Sequence, residues 1–490
     1  MKTIEIKDYQ KGVAQSPFTG YGAIRSLDIW GRQGIAKKEK RPTVKSDSAT
    51  PVLTDDIFGL RYFVSTADLV RYMADDDNVI EVGNDYTNIT SEEVFVPKGL
   101  IIWKDYLISF PDRFSCYGPL SGTPAWNDID FTGSVSRRVK PLHFLDDSLY
   151  VFCLEGGGLP PRLIRLSEDT TFNPTDSATY TKTENVLSLP SGYTIRTLVQ
   201  FGGRIMIGAE DPIGSAVIFP WDGYSSSFFS PIYLNERGLY SIEVSGGSMY
   251  ILAGRKGNWY VSNGTQTQLY REMPDIWEKT NYNPNIEYNC TSLKDNIIYF
   301  GIDNAWADYS QSPFHYQTEE ASGVWGLNLE TGALTQVYSA RSIIEGVSSY
   351  EITDIADLHI TGLLNGVENI GISYMDNTDF NWNVRLFRGR SDSNFVDNET
   401  VYIETPFYQL GRVFDKQYPY LQFYLANPLA TGENIKVYYR EATDDDWTLH
   451  ETLTGTNLQT KKIAEIINIQ FKIVLNTDSE LTNILLNYGK

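Results

Sequence analysis

The chain has 490 residues, 41% hydrophobic and 21% charged, which excludes disorder over most of its length. That length leaves room for roughly two to four domains, or for one large repeat fold with an appendage. The net charge is −21; residues 1–48 hold ten Lys/Arg against five acids, so the remainder carries −26. A body that acidic repels polyanions, which excludes tight general binding to nucleic acid.

Residues 1–50 are interrupted by Gly12, Pro17, Gly20, Gly22, Gly31, Gly34 and Pro42. Phe18, Tyr21, Ile24, Leu27, Ile29 and Trp30 make the stretch too apolar for a solvent tail. It reads as an extended arm packed on the body or on a neighbouring subunit. Its basic excess either docks on an acidic neighbour or forms a solvated face of mixed charge. The opening carries no apolar leader, and no run approaches the length of a membrane span. Folding in a reducing cytoplasm, without membrane insertion, is the expectation. Next comes Phe58–Val64, a strand. Ser65–Ala74 is predicted as a short helix capped by Ser65 or Thr66.

An internal repeat follows. A two-residue turn is succeeded by a short apolar strand at Lys104-Asp105, Asp146-Asp147, Gly202-Gly203, Gly246-Gly247 and Lys294-Asp295, with a weaker copy at Asn365-Gly366. Such pairs suit tight hairpin turns that need positive φ. The strands after them are apolar on both faces, as in stacked sheets buried on both sides. A spacing of roughly 40–50 residues is the size of one four-stranded propeller blade. The turns predict five to seven blades over residues 51–398, the first around Phe58. Pro220-Trp221-Asp222-Gly223 is a lone Trp-Asp without the WD40 repetition, and the glycine pairs precede their strands, the reverse of kelch order.

The segment Asp303–Glu320 carries Trp306, Tyr309, Phe314, His315 and Tyr316 with Glu319-Glu320. It reads first as a subunit contact, because aromatic residues are enriched there. A sugar-binding loop is the alternative. A polar joint near 391–398 precedes cleanly alternating strands at Tyr420–Leu425, Ile435–Arg440, Ile466–Leu475 and Leu481–Tyr488, so residues 399–490 are expected to form an antiparallel β-sandwich. The predicted fold class is therefore all-β: an N-terminal arm (1–50), a β-propeller (51–398) and a sandwich (399–490).

Candidate chemistry is sparse. Cys116, Cys153 and Cys290 show no paired spacing, and Cys153 sits in an apolar strand as a small core residue. His143, His315, His359 and His450 have no His or Cys partner at ligand spacing. Nucleophile-elbow, zincin and phosphate-loop motifs do not occur. Asp75-Asp76-Asp77 fails as a calcium loop, because Ile80 and Tyr86 occupy the positions of its glycine and glutamate. Those aspartates and Asp444-Asp445-Asp446 read as solvated turns. No catalytic residue, metal site or cofactor is expected, although two facing carboxylates from distant blades would suffice for a glycosidase.

The opening Ile6-Lys7-Asp8-Tyr9-Gln10-Lys11-Gly12-Val13-Ala14, with Ser16-Pro17-Phe18 and Ile24-Arg25-Ser26-Leu27-Asp28-Ile29, resembles the start of bacteriophage virion proteins. The arm, the run of blades and the sandwich with its Val437–Arg440 strand near Asp446-Trp447 resemble the propeller-containing tail-nozzle, or head-completion, proteins of short-tailed phages. The resemblance implies a virion tail protein, assembled in the host cytoplasm into homo-oligomeric rings, typically of six. Such rings lie below the portal and adaptor and pass double-stranded DNA without chemistry. An acidic lumen wall would keep DNA phosphates from sticking. The subunit-contact candidates are Lys7, Tyr9, Phe18, Tyr21, Arg25 and Trp30 in the arm, and Trp306, Tyr309, Phe314 and Tyr316 in the aromatic loop. A carbohydrate-binding or glycan-cleaving propeller in a receptor-binding tail component is the rival reading. A periplasmic or cell-surface propeller is a third, which the missing leader disfavours.

Overall fold

The computed structural model describes residues 2–6, 25–27, 29–32, 35–38, 58–64, 69–74, 79–82, 86–89, 99–110, 113–130, 142–143, 147–153, 160–273, 286, 291–294, 296–302, 323–339, 358–364, 367–376, 381–388, 402–411, 417–442, 445–477 and 479–489. All regular structure among them is strand.

The chain opens with β1 (Lys2–Ile6), β2 (Arg25–Leu27), β3 (Ile29–Arg32) and β4 (Ile35–Lys38). Consecutive antiparallel sheets follow, each built from one contiguous segment. The first holds β5 (Phe58–Val64), β6 (Leu69–Ala74), β7 (Val79–Val82) and β8 (Tyr86–Asn88); the second β9 (Leu100–Trp103), β10 (Tyr106–Ser109), β11 (Arg113–Gly118) and β12 (Ala125–Asp130). The third holds β13 (Leu142–His143), β14 (Leu149–Cys153), β15 (Arg162–Glu168) and β16 (Tyr180–Ser188); the fourth β17 (Thr194–Phe201), β18 (Arg204–Glu210), β19 (Ser215–Trp221) and β20 (Ile232–Arg237). The fifth holds β21 (Leu239–Ser245), β22 (Ser248–Ala253), β23 (Asn258–Ser262) and β24 (Thr267–Arg271); the sixth β25 (Thr291–Lys294), β26 (Ile297–Ile302), β27 (Gly323–Asn328) and β28 (Leu334–Ser339). The seventh has three described strands, β29 (Leu358–Leu364), β30 (Val367–Asp376) and β31 (Asn381–Arg388).

These are seven propeller blades among the described residues. First strands of neighbouring blades lie side by side, β5 with β9, β13 with β17, β17 with β21, β21 with β25 and β25 with β29. β29 then returns to β5 and closes the ring.

In blades 2, 4 and 5 the tight turns sit where the sequence places them, between the first and second strands. Lys104 and Asp105 have φ of 53° and 69°, Gly202 and Gly203 57° and 73°, Gly246 and Gly247 56° and 76°. Positive φ at both central positions is the primed-turn geometry that matches strand twist. The second strands that follow are buried on both faces: Leu149 to Phe152 in β14 and Ile205 to Ala209 in β18 are almost wholly enclosed. Aromatic pairs then join blade to blade. Tyr72 meets Tyr117 at 6.4 Å, Trp103 meets Phe172 at 4.7 Å, Tyr150 meets Trp221 at 6.1 Å, and Trp259 meets Phe300 at 5.3 Å. Tilted and edge-on contacts of this kind suit the aromatic quadrupole. Trp221, Trp259 and Trp325 occupy the third strands of blades 4, 5 and 6 and are fully buried.

The expected helix at Ser65–Ala74 is corrected. Leu69–Ala74 is β6, paired on one side with β5 and on the other with β7. Its Leu-Val-Arg-Tyr-Met content fits a pleated strand, and two hydrogen-bonded neighbours override a weak local helix preference. Residues 65–68 lie outside the described residues.

The C-terminal strands are β32 (Tyr402–Glu404), β33 (Tyr408–Gln409), β34 (Tyr420–Leu425), β35 (Asn434–Arg440), β36 (Thr448–Leu453), β37 (Asn468–Asn476) and β38 (Leu481–Tyr488). They form a sandwich whose core includes Leu421, Phe423, Ile435, Val437, Phe471, Ile473, Ile484 and Leu486. The N-terminal arm is extended and built into both of its sheets. β1 pairs with β38 from Lys2↔Tyr488 to Ile6↔Ile484, and Ile6 enters the core. β2 pairs with β32, and β4 touches β38 at Ala36↔Leu481. β2 and β3 also run beside β28, so the arm lies between the sandwich and blade 6. On the other side residues 458–466 close the sandwich. Phe423 N–H donates to Leu458, Thr460 N–H donates to the Leu421 carbonyl, and Lys461 N–H donates to Glu451.

A Cβ at Gly203 would meet nothing within 4 Å, so Gly203→Val isolates the backbone cost of positive φ. The expected loss is about 1–2 kcal/mol, read by thermal or denaturant unfolding.

Candidate functional site

Three polar or aromatic arrangements stand out among the described residues. The first lies on the face that carries the hairpin turns. Lys104, in the turn of blade 2, reaches across to blade 3, where its Nζ pairs with Asp147 and lies 2.7 Å from Glu168. Trp103 Nε1 donates to the Asp147 carbonyl beside it. The hydrogen bonds to Asp147 and Glu168 hold the Lys104 ammonium above its ordinary value, and Lys104 holds the Glu168 carboxyl below its own. Blades 5 and 6 are joined on this face without a lysine, by a serine–asparagine bond across the boundary and an asparagine–glutamate bond within blade 6. Ser245 Oγ donates to Asn296 Oδ1, and Asn296 Nδ2 donates to Glu330. The turns thus form inter-blade clamps.

The second arrangement runs along the first strands. Arg196 Nη2 and Glu210 Oε2 are 2.5 Å apart, with side chains only 5% and 9% exposed. Glu210 Oε1 also accepts the Leu239 N–H at the start of blade 5. Glu243 accepts from Thr291 Oγ1 at 2.7 Å, and Ser241 lies 2.5 Å from the same hydroxyl. Each buried carboxylate is therefore held across a blade boundary. Held in this way, the two acids serve the ring as structural ties.

The third is a loop of blade 4, residues 222–231. Asp222 accepts from the Tyr224 and Ser225 N–H groups and from Ser225 Oγ, which lowers its carboxyl pKa. Trp221 Nε1 donates to the Ser225 carbonyl, and Phe228 packs on Phe219. This ordered loop holds Tyr224 74% exposed and Phe229 41% exposed, with the Arg204 guanidinium 4.3 Å from the Phe229 ring. Rigid, exposed aromatics beside an arginine are the side chains that anchor binding surfaces. Sequence reasoning read residues 220–223 only as a failed WD40 motif. The Asp-Gly-Tyr-Ser run after a buried Trp was the available signal, an Asx turn that presents an aromatic.

Of the sequence-derived contact candidates, two fall among the described residues. Lys7, Tyr9, Phe18, Tyr21, Trp306, Tyr309, Phe314 and Tyr316 lie outside the described residues, as do His315 and Asp75–Asp77. Arg25 is placed on β2 opposite Glu404, and Trp30 on β3 opposite Lys37. His450 Nε2 lies 2.9 Å from the Lys461 carbonyl, in the strap that closes the sandwich. Cys116 is buried, and burial pushes its thiol pKa far up. Asp445 accepts the Ala442 N–H within a turn, as its sequence suggested. No group of three or more His, Cys, Asp or Glu that could hold a metal occurs among the described residues. No helix long and apolar enough to cross a membrane occurs among them.

No family model matches the sequence, and no curated protein matches it. Solved structures, β-propellers among them, are similar in fold. The computationally designed Ika8 protein aligns over 75% of this chain and 97% of its own, at 11% identity and a TM-score of 0.38. BamB from Moraxella catarrhalis aligns over 80% and 98%, at 12% identity and a TM-score of 0.36. The WD40 domain of SCAP from fission yeast aligns over 87% and 94%, at 8% identity and a TM-score of 0.35. At these identities the likeness concerns the fold alone, and the strand pairing of the chain itself carries the assignment.

Arg196→Met leaves Glu210 buried without its cation, with an expected cost of about 3–5 kcal/mol in unfolding free energy. Adding Glu210→Gln removes the stranded charge, keeps an acceptor for Leu239 and is expected to restore more than half of the loss. The turn clamp has a pH window. Glu168 contributes stability above its ordinary 4.5, lost as pH falls through its lowered pKa. Lys104 contributes below its ordinary 10.5, lost as pH rises through its raised pKa. The melting-temperature gap between wild type and Lys104→Met is expected to be widest between about pH 5 and 10 and to shrink on either side.

Proposed function

We propose that this protein is a non-enzymatic structural component of a bacteriophage tail, a subunit of a homo-oligomeric nozzle ring below the portal and adaptor that extends the channel for double-stranded DNA. The observation that carries the reading is the placement of the opening segment. The opening of the chain, whose sequence from Ile6 onward resembles the start of phage virion proteins, contributes two strands to the C-terminal sandwich, Lys2–Ile6 beside β38 and Arg25–Leu27 beside β32. Both chain ends thus belong to one platform, and the seven-bladed propeller is an insertion between β4 and β32. A platform that gathers both ends, with a stiff lateral insertion, is a plan suited to a ring subunit. The charge split agrees, with a basic opening available to an acidic neighbour and an acidic remainder that does not retain DNA. A glycan-binding role in a tail component is the second reading, and exposed Tyr224 and Phe229 favour it.

Native mass spectrometry of the purified chain, alone and with a portal–adaptor complex, tests the first reading. A closed ring, with six copies expected, supports it. A strict monomer in both settings contradicts it, and binding on a glycan array would then support the second reading.

A further inference from the structure

Strand β1 is an edge strand among the described residues, hydrogen-bonded to β38 alone. It contributes one fully enclosed side chain, Ile6; Lys2, Thr3 and Glu5 are exposed and Ile4 is half-buried. Side-chain ties to β38 include Thr3 Oγ1 donating to Asn487 Oδ1 at 2.7 Å and Asn483 Nδ2 donating to Glu5 at 2.6 Å. Burial of one isoleucine is worth about 1.5–3 kcal/mol, so this strand lies at the weakly held end of the fold. The slot that it fills is well bounded. β38 offers Ile484 to Tyr488 to β1, while β4 occupies the same edge at Leu481. An empty slot would be an exposed strand edge, which recruits another strand.

The connection to β2 is longer than the sandwich needs. Eighteen residues, 7–24, separate Ile6 from Arg25. Sheets of a sandwich lie only about 10 Å apart, and most connections in compact domains take about 4–6 residues. Fully extended, eighteen residues reach about 60 Å. A chain of this length has a radius of gyration of about 23 Å, so contacting copies sit about 60 Å apart. The segment also carries Tyr9, Phe18 and Tyr21, residue types that suit a contact between subunits.

From these observations we infer that β1 is exchanged in the assembled protein, with Lys2–Ile6 of one copy filling the β38 slot of its neighbour. The inference rests on the ring reading above. Exchange remakes the same contacts in trans, and the long connection removes strain from the crossing. Each copy gives one strand and receives one, so a closed ring is left with no empty slot.

Thr3 and Asn487 face each other, and Cα partners across antiparallel strands lie within disulfide range. The test uses full-length Thr3→Cys and Asn487→Cys chains, separately tagged and assembled together, beside the double variant and the wild type. Mild oxidation is followed by non-reducing gels, and native mass spectrometry is run on the same samples. The expected result is a disulfide joining the two tags in the mixture, and a covalent ladder up to the full ring in the double variant. The wild type, with its three native cysteines, shows neither. A ring by native mass spectrometry whose double variant closes only within single chains overturns exchange and leaves the ring reading standing. A ring with no disulfide in either sample overturns the β1–β38 register, and exchange with it. A monomer throughout overturns the ring reading, and exchange falls with it.

Discussion

Closure of the propeller is the constraint on which the rest of the structure depends. Each blade comes from its own contiguous segment, so no strand is shared between the first blade and the last. Among the described residues the ring shuts by the packing of β29 beside β5. Bringing together residues separated by three hundred positions has an entropic cost that side packing alone must overcome. The chain meets this cost outside the ring. Just before blade 1 it runs through β2 to β4, and just after blade 7 it enters β32, with β2 and β32 hydrogen-bonded to each other. β1 and β38 repeat the tie at the chain ends. The sandwich acts as a clasp that holds both ends of the propeller at one place, and β2 and β3 lie against β28 to join clasp and ring.

Within the ring, cohesion passes from neighbour to neighbour. Among the described residues aromatic side chains reinforce blade boundaries, where Tyr72, Trp103, Tyr150 and Trp259 each meet a ring from the adjacent blade. Between blades 4 and 5 the seam is aliphatic, built from Met206, Ile218, Ile242 and Ile251. Buried polar groups follow the same rule. Glu210 and Glu243 have partners in the next blade, Leu239 and Thr291. Apolar burial supplies most of the cohesion, and the lysine clamp at the surface adds less.

Much of this fold was legible in the sequence because its signals are local. The paired residues at 104–105, 202–203 and 246–247 mark primed turns that few other sequences can make, and each one locates a blade. The enclosed second strands were legible from their unbroken apolar runs. Alternation in Tyr420–Leu425 separates Leu421 and Phe423, which are buried, from Tyr424, which is exposed. Leu69–Ala74 was misread because a short, mainly apolar run interrupted by Arg71 fits either period, and its two strand neighbours decide it. Pairing of Lys2 with Tyr488 leaves no local trace, so the clasp was invisible beyond an arm too apolar to be free. Of the candidate contact residues, composition located the arm but not the strands that receive it. The Tyr224–Phe229 loop escaped notice because Asp222 was weighed only as part of a failed repeat motif, although its Asx-turn hydrogen bonds to Tyr224 and Ser225 order the loop.

The clasp is tested most directly by native-state hydrogen exchange on the intact protein at low, increasing denaturant. If the sandwich holds the ring shut, the amides of β32 and β38 and those of β5 and β29 open together, as one cooperative unit. Exchange of β5 and β29 at a denaturant concentration that leaves β32 and β38 fully protected would contradict the account.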